Sequence, residues 1–445
     1  MATLTGKKIK DTYDGLLKTS NSETGLPATG TDIVQDGLGN DSSIAIGKAG
    51  EGMIITGKLV LEQGVQNTLI AENVGQNITP IGNNNEGTKN TAIGTNSLQS
   101  GTVVKNNTVI GVDALKSSIN GSFNVAVGDS AMQENVSGNS NTVVGSGALK
   151  NSTTASFNVA IGRDTLAQNI NGNKNVAIGN RALRDNVNAS KNVAIGEDCL
   201  VNHENGALNV AIGSECMNNQ VSGTGNIAIG QKCLQQNSKS NNIAIGTGAL
   251  QNNTTGYFNT AIGRSASIGN QTGYGNTSLG FQANQGVATG NYNTSIGAFA
   301  TPSSNSTSGE FTLGNGTVSV LRCAVTSITS LSDERDKSEI KDLEFGLDFI
   351  DQLQPREFVW NHRLETYIDT DDDGNEIEIE HENLNKGKKD FGFIAQEVQQ
   401  LDNDTLRLVH DENPEKIEMS YGKLVPILVK AIQDLHAEIK ILKSK

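Results

Sequence analysis

Residues 175–191 read NVAIGNRALRDNVNASK, and the next seventeen, residues 192–208, read NVAIGEDCLVNHENGAL. The shared Asn-x-small-Ile-Gly opening recurs down the middle of the chain, and every step between its glycines is 17 residues except one of 16. A period of this kind predicts a solenoid in which each repeat forms one rung. The repeat glycines are Gly94, Gly111, Gly128, Gly145, Gly162, Gly179, Gly196, Gly213, Gly230, Gly246, Gly263, Gly280, Gly297 and Gly314.

Each position of the repeat has a physical reading. Ile, Val or Leu precedes the glycine and a small residue, most often Ala, precedes that, which is typical of a short β-strand. The glycine permits a turn or a close backbone approach. The asparagine four residues earlier is expected to tolerate the left-handed conformation and to bond to its own backbone or to the next rung. We predict a mostly β fold, with about fourteen rungs of two short strands and two turns over residues 84–316, forming a rod roughly 60 Å long.

The two faces of the predicted strand are both apolar or nearly so. Neighbouring strand residues point to opposite faces, so one face fills the coil and the other still requires cover. Packing against sister chains would provide that cover, and the repeat therefore favours an oligomer.

Two further positions of the repeat are informative. Leu or Met stands four residues after the glycine in ten successive copies, from Leu98 to Leu250, and is then replaced by Ser267, Asn284 and Thr301. The position before that leucine is small, and three cysteines fall in it. A column of thiols suggests a metal site or disulfides, but no His or carboxylate pattern accompanies it at ligand spacing, so we interpret the cysteines as small buried apolar residues. They are Cys199, Cys216 and Cys233, and Cys323 is a lone thiol outside the repeat.

Composition excludes several classes of protein. The 445 residues include 50 Gly but 6 Pro, which excludes collagen, and only 4 % are aromatic. The net charge of −14 disfavours binding to nucleic acid. No apolar run reaches membrane-spanning length, and the first residues lack the apolar segment of a signal peptide. No cofactor motif is present, and no cofactor is expected.

The repeats resemble two known kinds of protein. The NVAIG unit is similar to the head repeats of trimeric bacterial adhesins, which form parallel β-rolls packed as trimers, and to the shafts of many phage tail fibres. Residues 1–83 precede the shaft. They include a possible amphipathic helix on Ile9, Tyr13, Leu16 and Leu17, and the strand-like stretches SIAIGKAG and GMIITGKLVLEQGV around a degenerate first β unit. The likeness to fibres implies that this segment docks on other tail proteins of the virion. The alternative is a frayed end that caps the rod.

Composition changes after residue 326, where Gly and Asn become rare and charged and large apolar residues become common. Residues 317–331 are taken as a linker. The following segment carries, in order, SDERDKSEI, GLDFIDQLQPREFVW, FGFIAQEVQQL and MSYGKLVPILVKAIQDLHAEIKILK. This order resembles the intramolecular chaperone domain of phage tail spikes and fibres, the peptidase S74 family. The resemblance covers residues 332–445 and implies a small α+β domain that trimerises the chain.

The resemblance also implies a self-cleavage site. In that family a Ser and a Lys five residues later form a catalytic dyad, here Ser332 and Lys337, and the cut would fall between Leu331 and Ser332. A lysine acts as a base only when burial or a cationic neighbour lowers its pKa, and Arg335 is a candidate neighbour. Asp336 stands where the family usually has an apolar residue. The alternative is that Ser332 simply caps a helix.

The last helix carries a heptad pattern. Val425, Ile432 and Ile439 occupy its a positions, and the d positions hold Tyr421, Leu428, Leu435 and Leu442. Three heptads form a short coiled coil. Ile at a with Leu at d favours two strands in peptides, whereas the family resemblance implies three chains, and packing on its own domain alone is a third reading.

Residues 369–380, DTDDDGNEIEIE, match the spacing of a calcium loop. The candidate ligands are Asp369, Asp371, Asp373 and Glu380, with Gly374 at the turn. Because EIEIE alternates as a strand does, a hairpin with an acidic turn is favoured over a calcium site.

These readings favour a homotrimeric phage tail fibre or appendage that is made in the host cytoplasm, resides in the virion and binds a host receptor, with a glycan as one candidate. Any enzyme activity is at most a single-turnover serine autopeptidase. The alternatives are a bacterial trimeric adhesin and a tail spike that hydrolyses a host glycan. The last needs paired carboxylates on one face, and the acids in the repeats are scattered: Asp113, Asp129, Asp164, Asp185, Glu197, Asp198 and Glu215.

Overall fold

A computed structural model describes residues 18–19, 32–35, 41–46, 53–55, 67–71, 73–78, 87–318, 321–322, 332–361, 365–370, 376–381, 386–402, 406–411 and 417–445. The predicted N-terminal amphipathic helix, Cys323 and Leu331 lie outside these residues. Within them, no helix is both long enough and apolar enough to cross a bilayer.

The N-terminal segment contains an antiparallel sheet of four strands in sequence order. The strands are β1 (Lys18–Thr19), β2 (Asp32–Gln35), β3 (Asp41–Ile46) and β4 (Met53–Ile55). The stretches SIAI and MII form strands as the sequence predicts. They pair antiparallel with each other, Ile44 opposite Ile55, so they do not add a rung to the parallel stack.

The repeats form one parallel sheet of fifteen three-residue strands in sequence order. Equivalent repeat positions lie side by side, as where Ala160 pairs with Ala177. At about 4.8 Å per rung the stack is about 67 Å long. The strands are β5 (Thr68–Ile70), β6 (Thr91–Ile93), β7 (Thr108–Ile110), β8 (Val125–Val127), β9 (Thr142–Val144), β10 (Val159–Ile161), β11 (Val176–Ile178), β12 (Val193–Ile195), β13 (Val210–Ile212), β14 (Ile227–Ile229), β15 (Ile243–Ile245), β16 (Thr260–Ile262), β17 (Thr277–Leu279), β18 (Thr294–Ile296) and β19 (Phe311–Leu313).

The stack differs from the expectation in two ways. It includes β5, which precedes residue 84 and pairs in parallel with β6. The prediction of a second strand in each rung is wrong for the described repeats. Turns occupy the rest of each coil, and an isolated bridge from Ser190 to Ala207 adds one further contact. The reason is that three positions per repeat besides the glycine adopt positive φ, as in Lys174 (+60°), Arg181 (+58°) and Leu183 (+51°), and such residues interrupt an extended strand.

The interior is built from the middle strand residue and the leucine that follows the glycine. From β6 to β18 the middle residue is buried, and in most strands it is alanine. The ten Leu and Met residues from Leu98 to Leu250 are fully buried and join these residues in one continuous core. In the last rungs Ser267 and Asn284 replace the leucine, and the Ser267 hydroxyl lies 2.7 Å from that of Ser278. The interior therefore becomes polar at that end.

The repeat glycine is required on two grounds. Gly179 has φ +131°, and a Cβ placed on it would lie 2.4 Å from the carbonyl oxygen of Gly196 in the next rung. The backbone of each rung therefore contacts the backbone of the next rung directly at this glycine, and no space is left there for a side chain.

A buried column of asparagines connects the rungs. The Asn175 side-chain oxygen accepts a hydrogen bond from the backbone N–H of Asn192 at 3.0 Å, and its Nδ2 donates to the Ala189 carbonyl at 2.9 Å. The left-handed conformation falls on the neighbouring residue, Lys174, rather than on the asparagine. The asparagines therefore serve to satisfy buried backbone groups between rungs.

One rung, from Gly230 to Gly246, is a residue short, and the shortening is confined to an outer turn. The Lys239 carbonyl accepts from Asn226 Nδ2 at 2.9 Å, the contact that a residue one place later makes in other rungs. The Ser240 hydroxyl then accepts from the Thr224 backbone N–H at 3.0 Å. All other columns continue in register through β14 and β15.

The C-terminal segment contains helices and short antiparallel strands. The strands are β20 (Arg356–Val359), β21 (Glu365–Thr370), β22 (Glu376–His381), β23 (Lys389–Gly392), β24 (Val409–His410) and β25 (Glu418–Met419), paired β20 with β23, β21 with β22 and β24 with β25. The helices are α1 (Leu347–Ile350), α2 (Ala395–Gln399) and α3 (Leu424–Lys443), with 3-10 turns at Glu334–Asp336 and Tyr421–Lys423. A small core joins the three helices through Phe349, Leu353, Val398, Leu408, Leu424 and Ile427.

Candidate functional site

The serine and lysine predicted as a dyad lie in direct contact. Lys337 Nζ donates to Ser332 Oγ at 2.7 Å and also lies 3.2 Å from the Ser332 carbonyl oxygen. The short 3-10 turn between them folds the chain back, so that residues five apart meet. A hydroxyl within hydrogen-bond distance of an amine has the geometry that a serine nucleophile and its base require.

The residues between the dyad members have different roles from those expected. Asp333, not Ser332, caps the 3-10 turn by accepting from the Arg335 backbone N–H at 2.9 Å. The Arg335 guanidinium binds the same carboxylate through Nε at 3.0 Å and NH2 at 2.6 Å. Arg335 therefore pairs with Asp333 and does not act as a free cation beside Lys337. This ion pair lowers the pKa of Asp333 and raises that of Arg335.

The dyad is open to solvent in the single chain. Residues 332–342 are all exposed, including Ser332, Asp336 and Lys337. General-base catalysis by a lysine requires its removal from water or a nearby cation. In the described part of the single chain Ser332 and Lys337 are not buried, and Arg335 is paired with Asp333.

The six heptad residues within the C-terminal helix lie on its exposed side. Leu424, Ile427 and Ala431 face the domain core and are buried. All seven heptad residues are at least 40 % exposed: Tyr421, Val425, Leu428, Ile432, Leu435, Ile439 and Leu442. Tyr421 lies in the 3-10 turn before α3, where its hydroxyl accepts from the Phe393 backbone N–H at 3.0 Å. One side of the helix therefore holds the domain together while the other presents an apolar stripe.

Residues 332–407 match the family model Peptidase_S74, the chaperone of endosialidase. The match begins at Ser332 and ends before α3. A C-terminal domain of this family behind a β-solenoid of 17-residue repeats fits a phage tail-fibre or endosialidase-like protein. Comparisons with curated proteins and with solved structures gave no match.

The two strands that contain the ends of the acidic stretch, residues 369–380, pair as the hairpin that the sequence favours. Strands β21 and β22 pair with Asp369 opposite Ile377 and Thr366 opposite Glu380. Asp371, Asp373 and Gly374 lie outside the described residues, so the calcium site stays an untested prediction.

Several of the acids considered for glycan hydrolysis are engaged in ion pairs. Lys116 contacts Asp113 at 3.1 Å, and a hydrogen bond from Asn96 and the Lys116 ion pair lower the pKa of Asp113. Arginines contact Asp164, Asp185 and Asp198. These contacts provide a structural role for the acids and no evidence for a pair of catalytic carboxylates.

The cysteine column has the buried position predicted for it. Cys199, Cys216 and Cys233 are buried and free. The neighbouring Cys199 and burial raise the pKa of Cys216, and burial raises the pKa of Cys233 to about 12. Thiols held in the protonated form are poor nucleophiles and poor metal ligands.

Sequence reasoning missed His203. It occupies the buried position seven residues after the glycine, where neighbouring repeats have Asn186 and Gln220. Its Nδ1 lies 3.3 Å from the Gln220 carbonyl and its Nε2 lies 3.4 Å from Asn209 Nδ2. Burial lowers the pKa of His203. Its place in the repeat, among amides, was the signal available in the sequence.

Proposed function

We propose that this chain is a structural protein of a phage tail fibre, in which the C-terminal domain aligns three shafts and then cleaves itself off. The proposal rests first on an apolar column along the outside of the solenoid. The third residue of all fifteen strands is Ile, Val or Leu and faces outward, and nine of these residues are 36–47 % exposed. A continuous apolar stripe along a surface is typical of a site of interaction with another chain. We refer to it as the strand-face column, and sister chains are its proposed cover.

The stacking of equivalent rungs creates a problem of alignment. Because neighbouring rungs present nearly the same side chains, two shafts displaced by one rung would make similar contacts. A separate element must therefore fix the register. The exposed heptad stripe on α3 is suited to this role, because a coiled coil joins chains at fixed positions.

Self-cleavage would follow from the same assembly. The dyad geometry is present in one chain, but its exposure leaves Lys337 in water. Association of three C-terminal domains would supply the missing burial, so that cleavage takes place only after alignment. Loss of the domain would then leave a shaft that is trapped kinetically, because its chains lack the means to realign.

The test is the mass of the purified full-length protein beside a Ser332→Ala variant. Cleavage before Ser332 would leave 331 of 445 residues, about 35 kDa of the 46.8 kDa chain. We expect that product from the parent and from a Ser338→Ala control, and an intact chain from Ser332→Ala. Native mass spectrometry of Ser332→Ala should give three chains. If the parent chain stays intact but forms a trimer, self-cleavage is refuted and the assembly role stands. If Ser332→Ala is a monomer, the assembly role is refuted.

The wider role is proposed on the same basis. A long rod with an N-terminal segment outside the repeat stack is suited to attachment to other tail proteins at one end and to contact with the host at the other. Host adsorption by particles that carry this protein, compared with particles that lack it, would test that role directly.

A further inference from the structure

Four aromatic side chains form one cluster on the surface of the last rungs. Tyr257 stacks on Tyr274 with a centroid distance of 4.9 Å and an interplanar angle of 1°. Phe258 packs edge-on against Tyr257 at 5.2 Å, and Tyr292 packs edge-on against Tyr274 at 5.0 Å. These four residues, named here the aromatic platform, include half of the six tyrosines in the chain.

Three rings of the platform are exposed even though the rings contact one another, and Tyr274 between them is half-buried. Tyr257 is 39 % exposed, Phe258 60 % and Tyr292 64 %. A Cβ on Gly275, between the two outer rungs, would lie 2.8 Å from the Tyr292 ring, so the glycine at that position makes room for the ring. Ring contacts across three rungs fix the positions of the side chains before any ligand arrives.

The surface around the platform lacks charge. From residue 240 to residue 309 the sequence contains one charged residue, Arg264, whereas each of the preceding repeats carries at least one acid or base. The neighbouring side chains are amides and hydroxyls, and one of them, Asn291, accepts a hydrogen bond from the Tyr274 backbone N–H at 3.0 Å. Aromatic faces surrounded by neutral donors and acceptors suit a ligand with apolar faces and many hydroxyl groups.

The platform also differs from the strand-face column. That column continues along all fifteen strands, as a contact between parallel shafts would, whereas the platform is confined to three rungs. Phe123 and Phe157 occupy the same repeat position as Phe258 and are similarly exposed, at 55 % and 59 %. Neither has an aromatic neighbour in its own or an adjacent rung in the described structure. The cluster is therefore a local feature, and not a consequence of the repeat.

We propose that the aromatic platform binds an uncharged oligosaccharide, with sugar rings stacked on the exposed rings of Tyr257, Phe258 and Tyr292, which Tyr274 holds in place. The apolar C–H faces of the sugar would cover the aromatic rings, while its hydroxyls bond to the tyrosine hydroxyls and nearby amides. Acidic sugars lack a group of cations to receive them here. This inference rests on the proposed function, because it names the ligand class for host contact and the part of the shaft that makes it.

The experiment is binding of the full-length protein to an array of immobilised neutral and acidic oligosaccharides. Phe258→Ala and Tyr274→Ala should each weaken binding to neutral members about tenfold. Phe157→Ala is the matched control, since it removes the same side chain at the same repeat position and exposure, and it should leave binding unchanged. Circular dichroism and native mass of each variant confirm that fold and assembly are preserved.

Other outcomes would overturn the inference. Binding restricted to acidic members, equal loss in Phe157→Ala, or no binding to any member by a correctly assembled trimer each contradicts it and leaves the assembly role intact. A change in the number of chains in Phe258→Ala and Tyr274→Ala, with no change in Phe157→Ala, would show that a second copy covers the platform. Failure of the parent to form a trimer would instead refute the proposed function itself.

Discussion

Single residues set the geometry of each rung. The repeat glycine combines a positive φ with contact to the backbone of the next rung, while the leucine four residues later takes a left-handed φ that costs roughly 1–2 kcal/mol. Leu183 is held in that conformation because its side chain is fully buried and its N–H donates to the Cys199 carbonyl at 2.9 Å. Burial of the leucine side chain in the interior thus offsets the energetic cost of its left-handed backbone conformation.

The glycine column provides the first prediction. Gly179→Ala would place a methyl group 2.4 Å from the Gly196 oxygen, so we expect a loss of stability of about 3 kcal/mol or more. Gly309→Ala is the control, because Gly309 has φ +74° with nothing within 4 Å of its Cβ, and the loss there should be about 1 kcal/mol. Thermal unfolding of both variants measures the difference. Equal effects would show that φ alone, not the close approach, requires glycine.

His203 provides the second prediction. Burial lowers its pKa in the folded chain, so as pH falls below about 6.5 the unfolded chain binds a proton that the folded chain does not. The melting temperature should therefore fall between pH 7.5 and pH 5.5. His203→Asn, which restores the amide common at this position, should show a smaller fall over the same range. An identical fall in both proteins would place the pH dependence elsewhere.

At the scale of elements, the strands and the last helix each divide their residues between an inner and an outer surface. The strand buries its alanine and exposes its isoleucine, and α3 buries Leu424, Ile427 and Ala431 while it exposes the heptad residues. Both outer surfaces are apolar. In the proposed trimer, other chains would cover both of these surfaces.

The helix can be tested with a matched pair of substitutions. Ile432 is a heptad residue that is 66 % exposed, and Ile441 is 57 % exposed but lies outside the heptad positions. Ile432→Lys should prevent trimer formation, because a charge at an a position would lie in the coiled-coil core, whereas Ile441→Lys should not. Native mass spectrometry gives the number of chains. Trimers from both variants would mean that α3 packs only on its own domain.

Prediction from sequence succeeded where the period supplied repeated evidence. The stack of short strands, the buried cysteine column and the bonds from asparagines to the next rung all followed from positions that recur, whereas the pattern left open which face of the strand is buried. The left-handed positions were missed because residues as different as Lys174, Arg181 and Leu183 occupy them, and glycine or asparagine marks these turns in only some of the repeats. The dyad contact followed from family spacing, but the Asp333 cap depends on side-chain geometry that spacing alone does not specify.

At the scale of the whole molecule, the regular shaft and the C-terminal domain have complementary functions in the proposed assembly. The shaft can form many equivalent contacts, and it therefore does not determine how the chains are aligned with one another. The C-terminal domain has an irregular fold and one heptad helix, and therefore pairs in one way.

This division predicts the effect of making the chain without residues 332–445. The truncated chain should aggregate or form shafts of mixed register, whereas a shaft cleaved after assembly should keep its melting temperature and resist protease. Both products end at the same residue, so the comparison separates the path of folding from the final composition. A truncated chain that yields the same stable trimer would remove the need for the domain.

The short rung shows that the turn at residues 238–240 changes length without disturbing the stack on either side. A surface site with that tolerance is suited to carrying foreign sequence, such as an epitope tag or a fluorophore attachment peptide. Labels placed there would report the position of the shaft in an intact particle by microscopy, with the core, the glycine column and the outer isoleucines left as they are.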